Sequence, residues 1–238
     1  LNSVKPHLNE TGYIHIKKGF HPLLLLKELN KLPADRRPIV PLDLELGKPP
    51  SSGRTLIISG PNAGGKTVAL KTIGLFAVMV QSGLLIPCEM GTHLSIFDQI
   101  FADIGDDQSI ENDLSTFSSH VQHLSEMVNK ITRKTLILID EIGSGTDPKE
   151  GSSLAIAILD YFNQKQAVSI VTTHHGELKA FAHDTEGIEN GAMEFDHETL
   201  QPTYVFRPKI PGSSYAFEIS KRIGLQNDII EKAKEISG

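Results

Sequence analysis

Three stretches of the chain are apolar runs in which polar residues do not alternate with apolar ones. They span residues 55–59, 135–140 and 167–173 and are rich in Ile, Leu, Val and Thr. Strands that are covered on both faces have this composition, which is typical of a parallel sheet with helices on either side. The three stretches are therefore predicted to be central parallel strands.

Helical patterns lie between these predicted strands. Residues 68–80 are apolar on nearly every side, which predicts a buried helix. In residues 150–162 the apolar positions follow i, i+3, i+4 spacing, which predicts a helix that packs one stripe on the sheet. Strands and helices that alternate at these lengths indicate an α/β fold with right-handed βαβ crossovers.

The end of the chain predicts a pair of helices. Residues 214–222 and 228–236 have helical patterns and are separated by Gly224. Asn227 or Asp228 is expected to cap the second helix, because short polar side chains accept hydrogen bonds from free amides at helix starts.

The beginning of the chain differs from the rest. Residues 1–50 contain seven of the 13 prolines and only short apolar runs, such as residues 23–26. Proline-rich sequence of this kind predicts a lobe of short strands and turns that leads into the core.

Composition and charge narrow the functional classes. The 238 residues carry a net charge of -6. A surface that mainly neutralises phosphodiesters is basic, so the negative charge argues against an autonomous DNA clamp.

The single cysteine, Cys88, excludes an internal disulfide, so a reducing cytoplasm is expected. The most apolar stretch, residues 73–87, is too short and too interrupted to span a bilayer, and no membrane partner is expected. Because the chain starts at Leu1 without a leader, we expect a fragment of a longer protein.

A phosphate-binding loop follows the first apolar run. The pattern G-x-x-x-x-G-K-[ST] is matched by Gly60, Pro61, Asn62, Ala63, Gly64, Gly65, Lys66 and Thr67. Backbone amides and the positive helix end attract an anion, Lys66 would reach the β- and γ-phosphates, and the Thr67 hydroxyl would coordinate Mg²⁺. The alternative is a glycine-rich turn that only joins a strand to a helix.

Two acids end the second apolar run. Ligands bind at the carboxyl edge of such sheets, where the phosphate loop also lies. Asp140 is therefore the expected Mg²⁺ partner, and Glu141 is the expected general base that activates water. This pair favours hydrolysis over a kinase reaction, because no pocket for an acceptor substrate is evident. The alternative is a pair of solvated acids at a strand end.

A histidine follows the third apolar run. His174 is placed to hydrogen-bond a γ-phosphate at the carboxyl end of the strand. His174, His175 and Glu177 could instead bind a metal, but their spacing matches no strong zinc pattern.

These elements and three further stretches resemble the ATPase domain of the MutS family, a branch of the ABC-type P-loop ATPases. The further stretches are residues 103–117, which include Asp103-Ile104-Gly105-Asp106-Asp107-Gln108-Ser109 and Leu114-Ser115-Thr116-Phe117, residues 140–148 and residues 211–216. The phosphate loop and residues 145–148 are similar to the second MutS paralogue, the branch linked to suppressing homologous recombination. The resemblance implies one ATPase domain, with an amino-terminal lobe (1–50), a nucleotide-binding core (51–210) and carboxy-terminal helices (211–238).

The resemblance also implies a homodimer in which each ATP lies between two subunits. Ser115 and Thr116 stand before a helical run at 117–130, and we expect them to cap it and to face the γ-phosphate of the partner subunit. Asp147 would reach toward the other subunit beside the general base. Ile39 matches a position that packs against adenine in relatives.

The expected function is an ATP-binding and ATP-hydrolysing dimerisation module with ATP and Mg²⁺ as cofactors. It would couple ATP turnover to a clamp that acts on branched or recombining DNA through other regions of the protein. Three alternatives stay open: the same module in a mismatch-recognising relative, in a ribosome-acting relative, or in a structural domain that dimerises with nucleotide and does not hydrolyse it.

Overall fold

The chain folds into two sheets with helices packed around them. The computed structural model describes residues 2–48, 53–105, 113–196, 198–212 and 216–237. The strands within these residues are β1 (His7–Asn9), β2 (Ile14–Gly19), β3 (Leu42–Leu46), β4 (Thr55–Ser59), β5 (His93–Ser95), β6 (Gln99–Asp103), β7 (Thr135–Ile139), β8 (Val168–Thr172), β9 (Ile188–Asp196) and β10 (Gln201–Pro208). The α-helices are α1 (Pro22–Leu29), α2 (Lys66–Gln81), α3 (Asp113–Lys130), α4 (Pro148–Gln164), α5 (Gly176–Asp184), α6 (Ala216–Ile223) and α7 (Asn227–Ser237), with short 3₁₀ helices at Pro33–Asp35 and Asn62–Gly64. Each helix within the described ranges is too short or too polar to cross a bilayer.

The main sheet contains the three strands predicted from the apolar runs. Its order is β10-β9-β4-β8-β7-β6, and all neighbours are parallel except the antiparallel pair β10 and β9. Every residue of β4, β7 and β8 is buried. This explains the unbroken apolar sequence, because both faces of these strands are covered. The predicted central parallel strands are confirmed.

Alternate residues of each central strand enter two separate cores. In β4, Leu56 and Ile58 pack with Phe76 of α2 and with strands of the amino-terminal lobe. Ile57 points to the other face, where it joins Phe162 of α4 and residues of α3 and α5. The sheet is therefore held between α2 with the lobe on one side and α3, α4 and α5 on the other.

Helix α2 is less buried than its sequence predicts. Val68 is 40% exposed and Val78 is 50% exposed, so the prediction of burial on nearly every side is wrong for this helix. One polar residue marks the open side, since Lys71 is exposed and lies one turn along the helix from Val68. The apolar residues around Lys71 on the same face obscure this signal. Val68 instead lines a cavity beside the phosphate loop.

The amino-terminal lobe contains a four-stranded sheet in the order β1-β5-β2-β3. Its strand β5 comes from residues 93–95, far along the chain from the rest of the lobe. The apolar residues 23–26, which the pattern assigned to strands and turns, lie in helix α1. The Arg54 guanidinium joins the lobe to the main sheet, since it donates to the Thr11 carbonyl and, at 3.0 Å, to the Gln166 carbonyl.

The two carboxy-terminal helices are present, and Gly224 lies between them at φ 100°. Helix α7 begins at Asn227, and the Ile230 amide donates to the Gln226 carbonyl at 3.2 Å. Asn227 and Asp228 therefore lie in the first turn of α7, and the prediction that one of them precedes it as the cap is wrong. An acid in a first turn still stabilises a helix through its dipole.

Acid should weaken the start of α1, because His21 caps it through a ring nitrogen. His21 is 8% exposed, and its Nδ1 accepts a hydrogen bond from the Leu24 amide at 3.4 Å. Burial lowers the pKa of His21, a hydrogen bond to its own backbone opposes this, and the nearby Lys71 charge adds to the lowering. A protonated Nδ1 is a donor and loses the cap.

Because the folded-state pKa is lowered, the unfolded chain binds this proton more readily. The stability that neutral His21 contributes is present above pH of about 6.5 and is lost as the pH falls through the folded pKa. We expect urea unfolding of the wild type to lose more stability between about pH 7.5 and about pH 5.5 than that of His21→Asn, which keeps a capping acceptor and does not titrate. Equal losses in the two proteins would contradict this account.

Candidate functional site

The predicted phosphate loop joins the end of β4 to the start of α2. Gly65 adopts φ 94° and turns the chain into α2, and as a glycine it has no side chain that could cap the helix. Backbone amides at a helix start, together with the positive end of the helix dipole, attract anions. The loop joins a strand to a helix, which is the context that its sequence pattern requires.

Lys66 is buried beneath this loop. Its side chain is 2% exposed, and Nζ donates to the Gly60 carbonyl at 2.7 Å. Burial lowers the pKa of Lys66, the negative charges of Glu141 and Asp140 oppose this lowering, and the positive Lys179 adds to it. A phosphate in the loop would favour the charged form of Lys66, because an opposite charge nearby offsets the cost of burial.

Asp140 connects one helix and two strands of the core through its carboxylate and its backbone amide. The Thr67 hydroxyl at the start of α2 donates to Asp140 Oδ2 at 2.5 Å. The Thr172 hydroxyl at the end of β8 donates to Asp140 Oδ1. The Asp140 amide donates to the Asp103 carbonyl of β6 at 2.8 Å. Both oxygens of this carboxylate are thus fixed beside the loop.

Mg²⁺ fits the donors at this position. A hydroxyl and a carboxylate are hard oxygen ligands, and protein-bound Mg²⁺ keeps water and phosphate oxygens for its remaining positions. Within the described ranges no group of three or more His, Cys, Asp or Glu side chains is placed to hold a metal.

Glu141 and His174 form a pair at the mouth of the site. His174 Nε2 lies 3.0 Å from Glu141 Oε1, and the two side chains are 43% and 35% exposed, respectively. Glu141 has φ 53°, a conformation that costs free energy for a residue with a side chain. Its amide donates to the Thr172 hydroxyl at 2.8 Å, which holds this turn in place. The Glu141 side chain lies beside His174 and is partly exposed.

A cavity of about 320 Å³ lies beside the loop. Ile39 lines it as the sequence suggested, and so does Tyr204, which sequence reasoning missed. The Tyr204 ring packs on Gly65, where an added Cβ would lie 3.2 Å from Tyr204 Cδ1. No motif surrounds Tyr204, so the sequence carries no signal for this contact. An aromatic side chain from β10 therefore joins Ile39 in lining this cavity.

Asp147 serves as the amino-terminal cap of α4. Its Oδ1 accepts hydrogen bonds from the Lys149 amide at 3.0 Å and the Glu150 amide at 3.1 Å. The residue is exposed. Asp147 Oδ2 takes no part in these capping bonds. The approach of Asp147 to another subunit stays a prediction.

Ser115 does not cap a helix that starts at residue 117. Helix α3 already includes Asp113, so Ser115 is its third residue and that prediction is wrong. The pattern was ambiguous because Asp113, two residues earlier, is an equally suitable residue for a helix start. Ser115 still lies in the first turn of α3. The side chains of Asn62, Ser115 and Thr116 lie outside the described part of the chain.

Asp103 and two histidines form a further cluster that sequence reasoning missed. His120 Nδ1 lies 2.6 Å from Asp103 Oδ2, and His123 Nδ1 lies 3.4 Å from Asp103 Oδ1. These contacts attach α3 to the end of β6, next to Asp140. Asp103 opens the first stretch of family resemblance, which was the only signal that pointed to it.

Comparison with known proteins identifies the family. Residues 56–238 match the family model described as MutS domain V. A protein named Endonuclease MutS2 from Ruminiclostridium cellulolyticum is 52% identical over 234 residues, which is 98% of this chain and 28% of that protein. Proteins of the same name from Finegoldia magna and Acetivibrio thermocellus are each 50% identical, over 99% and 98% of this chain and 28% of their own length.

The chain therefore belongs to the MutS family and contains its P-loop ATPase domain, domain V. The resemblance to the second MutS paralogue is confirmed by the names of these relatives. The predicted fold class, a mostly parallel sheet flanked by helices, is confirmed as well. The chain spans about 28% of the length of the curated relatives it matches.

Proposed function

We propose, on the premise that this is a MutS-family ATPase domain, that the site binds ATP with Mg²⁺ and hydrolyses it. One juxtaposition carries the proposal: the Thr67 hydroxyl lies 2.5 Å from the Asp140 carboxylate, and the adjacent Glu141 carboxylate lies 3.0 Å from His174. An ion-binding pair and a candidate general base thus meet at the rim of a phosphate loop. These are the parts that phosphoryl transfer to water requires.

In the proposed reaction each residue has a separate task. Lys66 and the loop amides bind the β- and γ-phosphates, and Thr67 and Asp140 would hold Mg²⁺. When bound, the ion neutralises charge on the phosphates. Glu141 accepts a proton from the water whose oxygen forms a bond to the γ-phosphorus. The bond between the γ-phosphorus and the bridging oxygen breaks, and ADP leaves. His174 keeps Glu141 oriented and is proposed to hydrogen-bond the γ-phosphate as well.

The adenine is proposed to occupy the cavity beside the loop. Ile39 lines one part of this cavity and Tyr204 another, and Val68 at the start of α2 connects it to the phosphate site. An apolar contact from Ile39 and an aromatic face from Tyr204 suit a flat heterocycle. The 40% exposure of Val68 supports this assignment, because an apolar residue is left open at this place.

A second copy of the chain is proposed to complete the site. The mouth at Glu141 and His174 is open, and the first turn of α3 with Ser115 and the exposed Asp147 would approach it from the partner. The relatives are named Endonuclease MutS2, and this chain matches 28% of their length. We propose that ATP turnover here changes the grip of other regions on branched or recombining DNA.

Coupling of about 1–3 kcal/mol between the nucleotide and the DNA sites is enough for this role. The net charge of -6 supports DNA contact through regions outside this chain. The names of the relatives favour the second paralogue over a mismatch-recognising protein. We do not assign DNA cleavage to these residues.

Replacement of the proposed base separates an ATPase from a domain that only binds nucleotide. We expect Glu141→Gln to retain ATP affinity and to lower the rate of phosphate release by about 10²- to 10⁴-fold, because the amide does not accept the proton. Glu177→Gln, which changes an exposed acid at the start of α5, is the matched control and should keep the wild-type rate. An unchanged rate in Glu141→Gln would contradict the assignment of the base.

A mixing experiment tests the composite site. Glu141→Gln has a defective base of its own but an intact α3, whereas Ser115→Arg has an intact base and a blocked α3. Each variant alone should be inactive. An equal mixture should recover about a quarter of the wild-type activity, because half of the dimers are mixed and each mixed dimer has one complete site. If the phosphate-release rate of the mixture does not exceed the summed rates of the two separate variants, the site is not shared between subunits.

A further inference from the structure

The segment that precedes α6 is pressed against the start of the phosphate loop. The Gly212 amide donates to the Ser59 hydroxyl at 2.7 Å. The Gly212 carbonyl accepts from Lys179 Nζ at 2.6 Å. Both backbone polar groups of one glycine are thus held, one by the last residue of β4 and the other by α5. We call Ser59, Lys179 and Gly212 the clasp.

The approach of the clasp to the loop leaves no room for a side chain. A Cβ added to Gly212 would lie 2.8 Å from the Gly60 nitrogen, 2.8 Å from the Ser59 carbonyl carbon and 3.0 Å from Gly60 Cα. All three are backbone atoms, which do not move aside as the end of a flexible side chain does. Any side chain at 212 would therefore displace the junction between β4 and the loop.

The residue that the clasp touches also receives the hydrogen bond of Lys66. Gly212 packs against the nitrogen and Cα of Gly60, and the Gly60 carbonyl, in the next peptide, accepts from Lys66 Nζ at 2.7 Å. Ser59 is fully buried, and its hydroxyl donates to the Gly191 carbonyl at 3.3 Å. A shift of Gly60 would move both the loop and the lysine that we assign to the phosphates.

Lys179 is itself fixed by the main sheet. Its carbonyl accepts from Asn190 Nδ2 of β9 at 2.9 Å. Burial lowers the pKa of Lys179, and its charge acts on buried Lys66 in turn. Two lysine charges therefore lie near the loop, where a phosphate would stabilise both.

We propose that Lys179 is a positioning residue for ATP: through Gly212 it holds the first peptide of the phosphate loop in the conformation that binds triphosphate. The inference rests on the proposed function, since ATP is the ligand concerned. It also gives Gly212, one residue of the stretch that resembles the family, a physical task. Residues 213–215 lie outside the described part of the chain, and α6 begins directly after them.

The test compares ATP with adenosine, which has no phosphates, on the full chain with Mg²⁺ by calorimetric titration. Lys179→Met, which removes the donor, and Gly212→Ala, which inserts the clashing Cβ, should each weaken ATP binding by at least about tenfold. Adenosine binding should stay at the wild-type level, because the cavity is untouched. Lys179→Arg keeps a donor and should restore most of the ATP affinity.

Two matched variants control for glycine and lysine replacement. Gly176 lies at the start of α5 with open space around its Cβ position, so Gly176→Ala should bind ATP as the wild type does. Lys130 is exposed at the end of α3, and Lys130→Met should also leave binding unchanged. If Gly212→Ala does not fold, Ser59→Ala removes the acceptor of the Gly212 amide, together with the weaker bond from Ser59 to the Gly191 carbonyl, and should weaken ATP binding without adding a clash.

Wild-type affinity for ATP in Lys179→Met together with either Gly212→Ala or Ser59→Ala would overturn the inference. Equal weakening of ATP and adenosine would also overturn it, because that result indicates a general loss of structure. Failure of the wild-type chain to bind ATP would instead contradict the proposed function. The two failures are therefore distinguishable.

Discussion

The site depends on one carboxylate that is held from two sides. Asp140 directly follows the central strand β7, and its two oxygens accept hydrogen bonds from Thr67 of α2 and Thr172 of β8. Hydrogen bonds to a charged acceptor are short and strong, so this contact fixes the relative position of three elements. The phosphate loop, the candidate base and the strand that leads to His174 are all set by it.

The surrounding structure accommodates features that would be unfavourable elsewhere. Lys66 is buried with a lowered pKa, and Glu141 has a left-handed backbone. Such features persist where neighbouring structure over-determines them, and they occur most often at functional sites. Here the fully buried strands β4, β7 and β8 supply that support, because their ends determine where each of these groups lies.

The parts of the fold and the site that were predictable from the sequence are those encoded locally. The apolar runs gave the central strands, and eight consecutive residues gave the phosphate loop. Asp140, Glu141 and His174 follow strand ends directly, so parallel strands bring them together at one edge. Their convergence in the structure follows from local sequence and one rule of topology.

The parts that could not be predicted depend on contacts between distant segments. Tyr204 reaches Gly65 from β10, and Gly212 reaches Gly60 from just before α6, with no motif that links either pair. The exposure of Val68 was missed because the open face of α2 carries apolar residues on either side of its exposed Lys71. The start of α3 was misplaced because Asp113 and Ser115 are both suitable residues near a helix start.

We propose that the carboxylate held between Thr67 and Thr172 prepares the site for ATP with Mg²⁺. ATP affinity measured with and without Mg²⁺ in Thr172→Val, which removes the hydroxyl at nearly constant shape, and in Thr172→Ser, which keeps it, tests this role of the carboxylate. We expect Thr172→Val to lose most of the gain in affinity that Mg²⁺ gives the wild type, and Thr172→Ser to keep it. The same gain in Thr172→Val as in the wild type would show that the hydrogen bond from Thr172 does not prepare the site.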